Sequence, residues 1–183
     1  GYLREKYRIP ILGMEPAVKP AVEHKGGGRV LVIATPLTTR EAKLKNLICA
    51  VDTEKKVDIH PISGLVTFAE NGEFDSPAVE AYLKKELEGY NLSDYSELVL
   101  GCTHFPLLRP IIQNAIGKDV KLIDSGAECA RDISVLLNYF EINHSRTEKD
   151  IQHRFYTTAS PAAFKEIAES WMGIDIYVEH VSL

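Results

Sequence analysis

Membrane spans, a disulfide framework and an excess of basic charge are all missing from this 183-residue sequence. No apolar run approaches the ~18 residues that a membrane helix needs, so we expect no membrane partner. The three cysteines are few and widely spaced, which argues against disulfides and favours a reducing, cytoplasmic location. The formal net charge of -5 argues against nucleic acid as a partner.

Motifs for nucleotides and structural metals are missing too. Neither G-x-x-x-x-G-K-[ST] nor G-x-G-x-x-G occurs, and the "KGGG" at residues 25–28 lacks the context of a phosphate-binding loop. Cys102 and His104 form a C-x-H pair, but no second pair follows at the spacing of a zinc finger. We therefore expect no metal. The first ten residues, GYLREKYRIP, are polar and helical in character, so we also expect no signal peptide.

Strand and helix patterns alternate along almost the whole chain. Apolar runs typical of strands cover residues 9–12, 29–35, 56–62, 97–101, 120–124, 154–159 and 174–183. Between them lie helical patterns, such as the single apolar face formed by Leu44, Leu47, Ile48 and Val51, which Thr38 or Thr39 could cap. Residues 64–74 have a less regular pattern. This alternation predicts an α/β fold with a mostly parallel sheet.

The segment LVLGCTHFPLLRP, residues 98–110, holds the strongest candidate site. Cys102 follows a predicted strand, and active residues of parallel sheets collect at the carboxyl ends of strands. A helix is expected to begin near Pro106, and the partial positive charge at its N-terminus favours a thiolate. Thr103 can offer a hydroxyl and a backbone N–H to a carboxylate, and His104 can act as an acid or orient a neighbour.

Structural explanations compete with each of these roles. Cys102 could be a buried structural cysteine followed by a capping threonine, and Glu70 could be an acid in a surface turn. We expect Cys49 and Cys129, which lie in helical patterns, to be packing residues. A thiol hydrolase built on Cys102 and His104 is a remote alternative, because residues two apart rarely give a nucleophile and a base the right mutual reach.

The sequence GCTHFPLL at 101–108 closely resembles the second cysteine motif of bacterial glutamate racemases, in the aspartate/glutamate racemase superfamily. The resemblance extends over nearly the whole chain, in the same order. It is carried by IPILGMEPAVKPA, RVLVIATPLTT, LVTFAENGEF, VKLIDSGAECA and FYTTASPAAFKEIA. It implies two α/β domains facing each other, with the active site between them.

The resemblance also implies a chemistry and a set of site residues. Members of the family need no cofactor and no metal, and they use two cysteines on opposite faces of the α-carbon of glutamate. One thiolate removes the proton and the other thiol returns one, because inversion requires an acid opposite the base. By resemblance, Cys102 is the second of these cysteines and Thr103 binds the substrate. His104 is the histidine beside them, with roles in catalysis and binding, and Glu70 is the acidic helper in catalysis.

The chain departs from the family in one respect. It contains no Cys-Asn-Thr motif for the first catalytic cysteine, and no upstream Asp-Ser or Tyr-Gly pair in the family's context. It therefore resembles the C-terminal two-thirds of a racemase, with residues 1–15 ending a first, incomplete domain. Residues 16–124 would be a complete second domain, and residues 125–183 would return to the first. The incomplete domain would expose apolar surface, so we expect a homo-oligomer and no two-base racemisation by this chain alone.

Three functions remain open from the sequence. The first is glutamate racemisation, which supplies D-glutamate for peptidoglycan. The second is racemisation of aspartate or another amino acid by a related enzyme. The third is a racemase-derived remnant that binds an amino acid or a protein without catalysis.

Overall fold

A computed structural model describes residues 2–24, 26–143 and 153–182. The helices are α1 (Tyr2–Lys6), α2 (Val18–Glu23), α3 (Pro36–Arg40), α4 (Ala42–Val51), α5 (Gly64–Glu70), α6 (Pro77–Leu87), α7 (Arg109–Ile116), α8 (Ser125–Tyr139) and α9 (Pro161–Met172). The strands are β1 (Arg29–Ala34), β2 (Val57–Pro61), β3 (Tyr95–Leu100), β4 (Lys121–Asp124), β5 (Arg154–Thr157) and β6 (Tyr177–His180). Single 3-10 turns lie at Leu92–Asp94 and Phe105–Leu108. None of the helices in these ranges is both long and apolar enough to cross a membrane.

Four parallel strands form the main sheet, in the order β2-β1-β3-β4. The central strands β1 and β3 are buried along most of their length, because helices cover both faces of the sheet. One face packs into a core with α5, α6 and α7, which contains Leu31, Leu98 and Phe105. The opposite face packs against α2 and α4 around Val32 and Val99. The predicted α/β fold with a parallel sheet is confirmed.

Helix boundaries follow local sequence signals closely. Ser76 caps α6 and Ser160 caps α9, each followed by a proline in the first helical turn. Helix α4, which carries the apolar face of Leu44, Leu47, Ile48 and Val51, begins only at Ala42 after Glu41, so the prediction that Thr38 or Thr39 caps it is wrong. Both threonines lie in the separate short helix α3, which starts at Pro36 and is capped by Thr35, whose hydroxyl accepts the Thr38 N–H. Pro36 explains this start: it holds Thr35 in an extended conformation and suits the first helical position.

Two short segments differ from the sequence prediction. Residues 9–12 form no strand and pair with neither described sheet; Pro10 cannot donate a ladder hydrogen bond. Residues 64–70 form helix α5, which buries Leu65 and Ala69, four residues apart on one face. The irregular pattern of this segment therefore concealed a short amphipathic helix.

The C-terminal part is organised differently from the main sheet. Its strands β5 and β6 form a separate parallel pair, and neither α8 nor α9 contains a buried residue. The segment between α8 and β5 lies largely outside the described residues. The division into segments 1–15, 16–124 and 125–183 stays a prediction.

A polar cluster lies at the amino-terminal end of the main sheet. Nε and Nη2 of Arg29 each donate to the Asp58 carboxylate at 2.7 Å, and the Tyr95 hydroxyl donates to the same carboxylate at 2.7 Å. The hydrogen bond from Arg29 lowers the pKa of Asp58. Burial, followed by the hydrogen bond to Asp58, raises the pKa of Tyr95 to about 12. This cluster is therefore an ion pair remote from the carboxyl end of the strands.

Candidate active site

A cavity of about 770 Å³ opens at the carboxyl ends of β3 and β4. Its wall includes the last residue of each strand, Leu100 and Asp124, and the turns that follow them. Residues 14–16 and Trp171 of α9 complete the wall from other parts of the chain. This is the edge at which parallel α/β sheets carry their ligands.

Gly101 allows the chain to turn into the cavity wall directly after β3. Its N–H donates to the Ile33 carbonyl at 2.8 Å, which continues the ladder between β1 and β3 by one residue. A Cβ atom at this position would lie 2.9 Å from both the Ile33 oxygen and the Ala34 Cβ, closer than real Cβ contacts. The absence of a side chain therefore allows β3 to end against β1 and turn directly into Cys102.

Cys102, His104 and Glu70 form a continuous polar chain. The Cys102 thiol is half-buried on the cavity wall, and its Sγ lies 3.8 Å from Nδ1 of His104. On the other side of the ring, Nε2 of His104 lies 3.5 Å from Oε1 of Glu70, at the end of α5. The imidazole can therefore exchange a proton with the thiol while the carboxylate stabilises its charged form.

The reach of this pair differs from the expectation. Cys102 and His104 are only two residues apart, yet the turn between β3 and α7 brings their side chains into contact. The spacing argument used against a thiol–imidazole pair is therefore wrong. The turn itself is a 3-10 segment whose first hydrogen bond runs from the Phe105 N–H to the Cys102 carbonyl, at 3.2 Å.

The α-helix after the turn begins later than predicted. It starts at Arg109 rather than near Pro106, because the 3-10 turn at Phe105–Leu108 comes between the strand and the helix. The nearest backbone dipoles to Cys102 are therefore those of this short turn.

The predicted site residues occupy two layers. Cys102 and Thr103 line the cavity, whereas His104 and Glu70 lie beside the thiol and outside the set of lining residues. The side chain of Thr103 is exposed, so its hydroxyl is free to meet a ligand from the cavity. The structure thus brings all four predicted residues into one neighbourhood without giving them equal access to a ligand.

An ion pair in the wall was not predicted. Arg109, the first residue of α7, donates to the Asp124 carboxylate, and both residues line the cavity. Asp124 follows the same rule that identified Cys102, since it ends a predicted strand. Its charge and its place at the carboxyl end of β4 were therefore a usable signal. Arg109 lies inside the helical run, where nothing in the sequence distinguishes it from a solvated surface arginine.

The remaining cysteines lie away from the thiol in the main cavity. Cys49 is exposed on α4, so the prediction that it is a packing residue is wrong. Cys129 is half-buried and lines a smaller neighbouring cavity of about 220 Å³. Within the described ranges, no group of three or more His, Cys, Asp or Glu side chains could hold a metal ion.

Comparison with known proteins identifies the family. The sequence model described as Asp/Glu/Hydantoin racemase matches residues 1–133. A glutamate racemase of Streptococcus suis is 56% identical over 182 residues, which are 99% of this chain and 69% of that protein. A glutamate racemase of Streptococcus mutans is 46% identical with the same coverage.

Solved structures agree with these relatives. A glutamate racemase isoform of Bacillus anthracis superposes with a TM-score of 0.85 at 34% identity, covering 100% of this chain and 68% of that one. The Escherichia coli glutamate racemase, in complex with L-glutamate and an activator, has a TM-score of 0.78 at 25% identity and covers 99% of this chain and 68% of its own. The racemase resemblance seen in the sequence is thereby confirmed, and the chain belongs to the Asp/Glu/Hydantoin racemase family.

Proposed function

We propose that this chain carries the Cys102 half of a cofactor-independent glutamate racemase, which interconverts L- and D-glutamate and supplies D-glutamate for peptidoglycan. The observation that carries the proposal is the polar chain from Cys102 through His104 to Glu70 at a cavity on the carboxyl edge of the sheet. The relatives at 42–56% identity, all named glutamate racemases, support glutamate rather than aspartate as the substrate.

Two distances support a role of Cys102 in proton transfer. Nδ1 of His104, 3.8 Å from Sγ, takes the thiol proton and leaves a thiolate beside an imidazolium. The Glu70 carboxylate, 3.5 Å from Nε2, stabilises that imidazolium. The thiolate then removes the α-proton of bound glutamate, which regenerates the thiol and leaves a carbanion on the substrate. In the reverse direction the same thiol returns a proton to the same face.

Substrate binding falls to the cavity wall. Thr103 offers its exposed hydroxyl, and its backbone lies directly after Cys102, so a carboxylate bound there would hold the α-carbon near Sγ. The cavity, at about 770 Å³, is larger than one amino acid requires. Part of it therefore remains for the protein surface that would face Cys102 from the other side of the substrate.

Inversion needs a second acid on that opposite face. Neither Cys49 nor Cys129 lines the cavity with Cys102. We therefore expect this 183-residue chain to exchange the α-proton of one enantiomer without inverting it. The first catalytic cysteine of the family would have to come from a segment with the Cys-Asn-Thr motif, which this sequence does not contain.

The first experiment is α-proton exchange in D2O, followed by proton NMR on L-glutamate and D-glutamate separately. We expect the α-signal of one enantiomer to decay, and we expect Cys102→Ser to abolish that decay. Cys49→Ser is the matched control, because it removes an exposed thiol of α4 and should leave the exchange rate unchanged.

Two outcomes would contradict the proposal. Exchange of both enantiomers with inversion would mean that a second acid exists within this chain. Absence of exchange with either enantiomer, in a protein that circular dichroism shows to be folded, would mean that Cys102 is not a competent base here and would favour a non-catalytic remnant.

The remaining assignments concern the environment of the chain. We propose a cytoplasmic location, in keeping with three free cysteines and a substrate used for peptidoglycan precursors. We also propose a homo-oligomer, which the exposed apolar side chains of the C-terminal part support. The sedimentation experiment in the Discussion tests the second of these proposals.

A further inference from the structure

The Arg109–Asp124 pair lies in the wall of the active-site cavity, close in sequence and in space to the Cys102 turn. Both residues line the same cavity as Cys102 and Thr103. The Asp124 side chain is only 11% exposed, whereas Arg109 keeps 40% of its side chain accessible. A nearly buried carboxylate therefore holds a partly accessible guanidinium at the cavity surface.

This pair connects three elements of the site. Arg109 is the first residue of α7, directly after the turn that carries Cys102. It donates to Asp124 at the end of β4 and also approaches the Leu122 carbonyl at 3.5 Å. Asp124 in turn accepts the Ala127 N–H at 2.9 Å and thereby caps α8. One ion pair thus fixes the start of α7 against β4 and α8.

Arg109 also sets the charge of the cavity. Among the lining residues in the described part of the chain, it carries the only basic side chain. The acidic lining residues are Asp124, which is bound to Arg109, and Glu15, whose carboxylate lies 3.2 Å from Nζ of Lys43. Among the described residues that line the cavity, Arg109 therefore supplies the one permanent positive charge, in addition to the imidazolium that His104 forms beside the thiolate.

We propose that Arg109 and Asp124 are positioning residues for Cys102, in which the Arg109 charge stabilises the Cys102 thiolate and Asp124 holds that charge in place. The proposal rests on the function proposed above, in which Cys102 acts as a thiolate. Neither residue needs to touch the substrate. Removing either partner unbalances the charge of the cavity wall, and the two removals do so with opposite signs.

Charged and titratable groups face the Cys102 thiol from five neighbouring parts of the chain. His104 lies in its own turn, and Glu70 of α5 acts behind that imidazole. Arg109 lies at the start of α7, Asp124 at the end of β4, and Glu15 in the segment before α2. Loss of Arg109 leaves two carboxylates on the wall, and loss of Asp124 leaves Arg109 without its partner.

The test is the pH profile of Cys102 alkylation by iodoacetamide, with modification of each cysteine measured by peptide mass spectrometry. We expect Arg109→Gln to raise the midpoint of the Cys102 profile by about 0.5 to 1 pH unit, because it leaves Asp124 uncompensated. We expect Asp124→Asn to lower the midpoint by about the same amount. The asparagine side chain still accepts the Ala127 N–H, so the cap of α8 is kept.

Matched variants separate charge from folding. The double variant should return the midpoint to within about 0.2 pH unit of the unmodified protein, and so should Arg109→Lys, because each restores the charge balance. Arg29→Gln and Asp58→Asn break an Arg–Asp pair at the opposite end of the sheet, and we expect neither to move the Cys102 profile. The exposed thiol of Cys49 gives an internal reference in every sample.

The proposal would be overturned if Arg109→Gln and Asp124→Asn moved the midpoint of the Cys102 profile in the same direction, or if neither moved it. Either result is what a purely structural role of the ion pair predicts. If Arg109→Gln does not fold, Asp124→Asn together with Arg109→Lys decides the question, because only the first of these changes the charge. Alkylation requires no glutamate, so a failed exchange experiment and a failed positioning proposal can be told apart.

Discussion

The two halves of the molecule differ in how their apolar side chains are covered. In the part formed by residues 16–124, four parallel strands lie between two layers of helices, and their central residues are inaccessible. In the part after residue 124, Ile176 is the one buried hydrophobic residue among those described. The same kind of amphipathic helix, as in α7 and α9, is thus covered in one part and uncovered in the other.

The comparison teaches what an amphipathic pattern specifies. It determines which face of a helix will be covered, but it does not determine what covers that face. Exposed large apolar side chains lie mostly in residues 1–15, such as Tyr2 and Ile9, and in the part after residue 124, such as Val135, Phe164 and Trp171. A two-stranded sheet gives little support of its own, so we expect a further protein surface to cover the exposed apolar side chains of this part.

The largest difference between the two parts should appear when the same side chain is removed from each. Phe105 is fully buried beneath the Cys102 turn, whereas Phe164 of α9 is 40% exposed. We expect Phe105→Ala to lower the free energy of unfolding by about 3 to 5 kcal/mol and Phe164→Ala by less than about 1 kcal/mol. Urea unfolding followed by circular dichroism measures both. Equal losses would mean that α9 is packed as tightly as the main core.

A smaller effect is expected on self-association. Replacing Val135 and Tyr139 with lysine puts two charges on one face of α8, four residues apart. We expect the dissociation constant of the homo-oligomer to rise at least about tenfold, which corresponds to about 1.4 kcal/mol. Sedimentation velocity over a concentration series gives the measurement.

The matched control for self-association is Leu37→Lys, which changes an equally exposed side chain on α3 of the other part. It should leave the sedimentation profile unchanged. A monodisperse, monomeric profile of the unmodified chain at high concentration would count against the oligomer itself.

The smallest effect is expected on how the stability of the main sheet depends on pH, because Asp58 is ion-paired in the folded state. Its pKa is lowered in the folded state by the hydrogen bond from Arg29, so the stabilisation is present above the unfolded pKa, near pH 4. It is lost as pH falls through the folded value. Asp58→Asn should therefore be less stable than the unmodified chain at pH 7, and the two should converge below about pH 4. A difference that persisted at low pH would contradict this sign.

Much of the fold was predictable because its signals are local. The runs around Val32 and Val99 indicate buried strands by their continuous apolar character. Ser76 and Ser160, each followed by a proline, indicate where helices begin. The buried Glu97 could not be predicted in the same way. It lies within a strand, and its partner, Nδ1 of His24 at 2.5 Å, comes from a helix end far away in the sequence.

The site was predictable to the extent that its residues follow one another in the chain. Cys102, Thr103 and His104 were found because they share one turn at a strand end. The Glu70 position rested on the resemblance, and its approach to His104 depends on how α5 packs against the turn. The ion pair between Arg109 and Asp124 joins two elements through tertiary packing, so no local sequence pattern could predict it.

For anyone who remodels this enzyme by mutation, Gly101 is the position to leave alone. A library that randomises the turn from 101 to 104 would lose nearly all of its members at the first codon, because every other side chain begins with the atom for which β1 leaves no room. Since the next residue is the proposed base Cys102, the variation available to selection in this turn starts at Thr103.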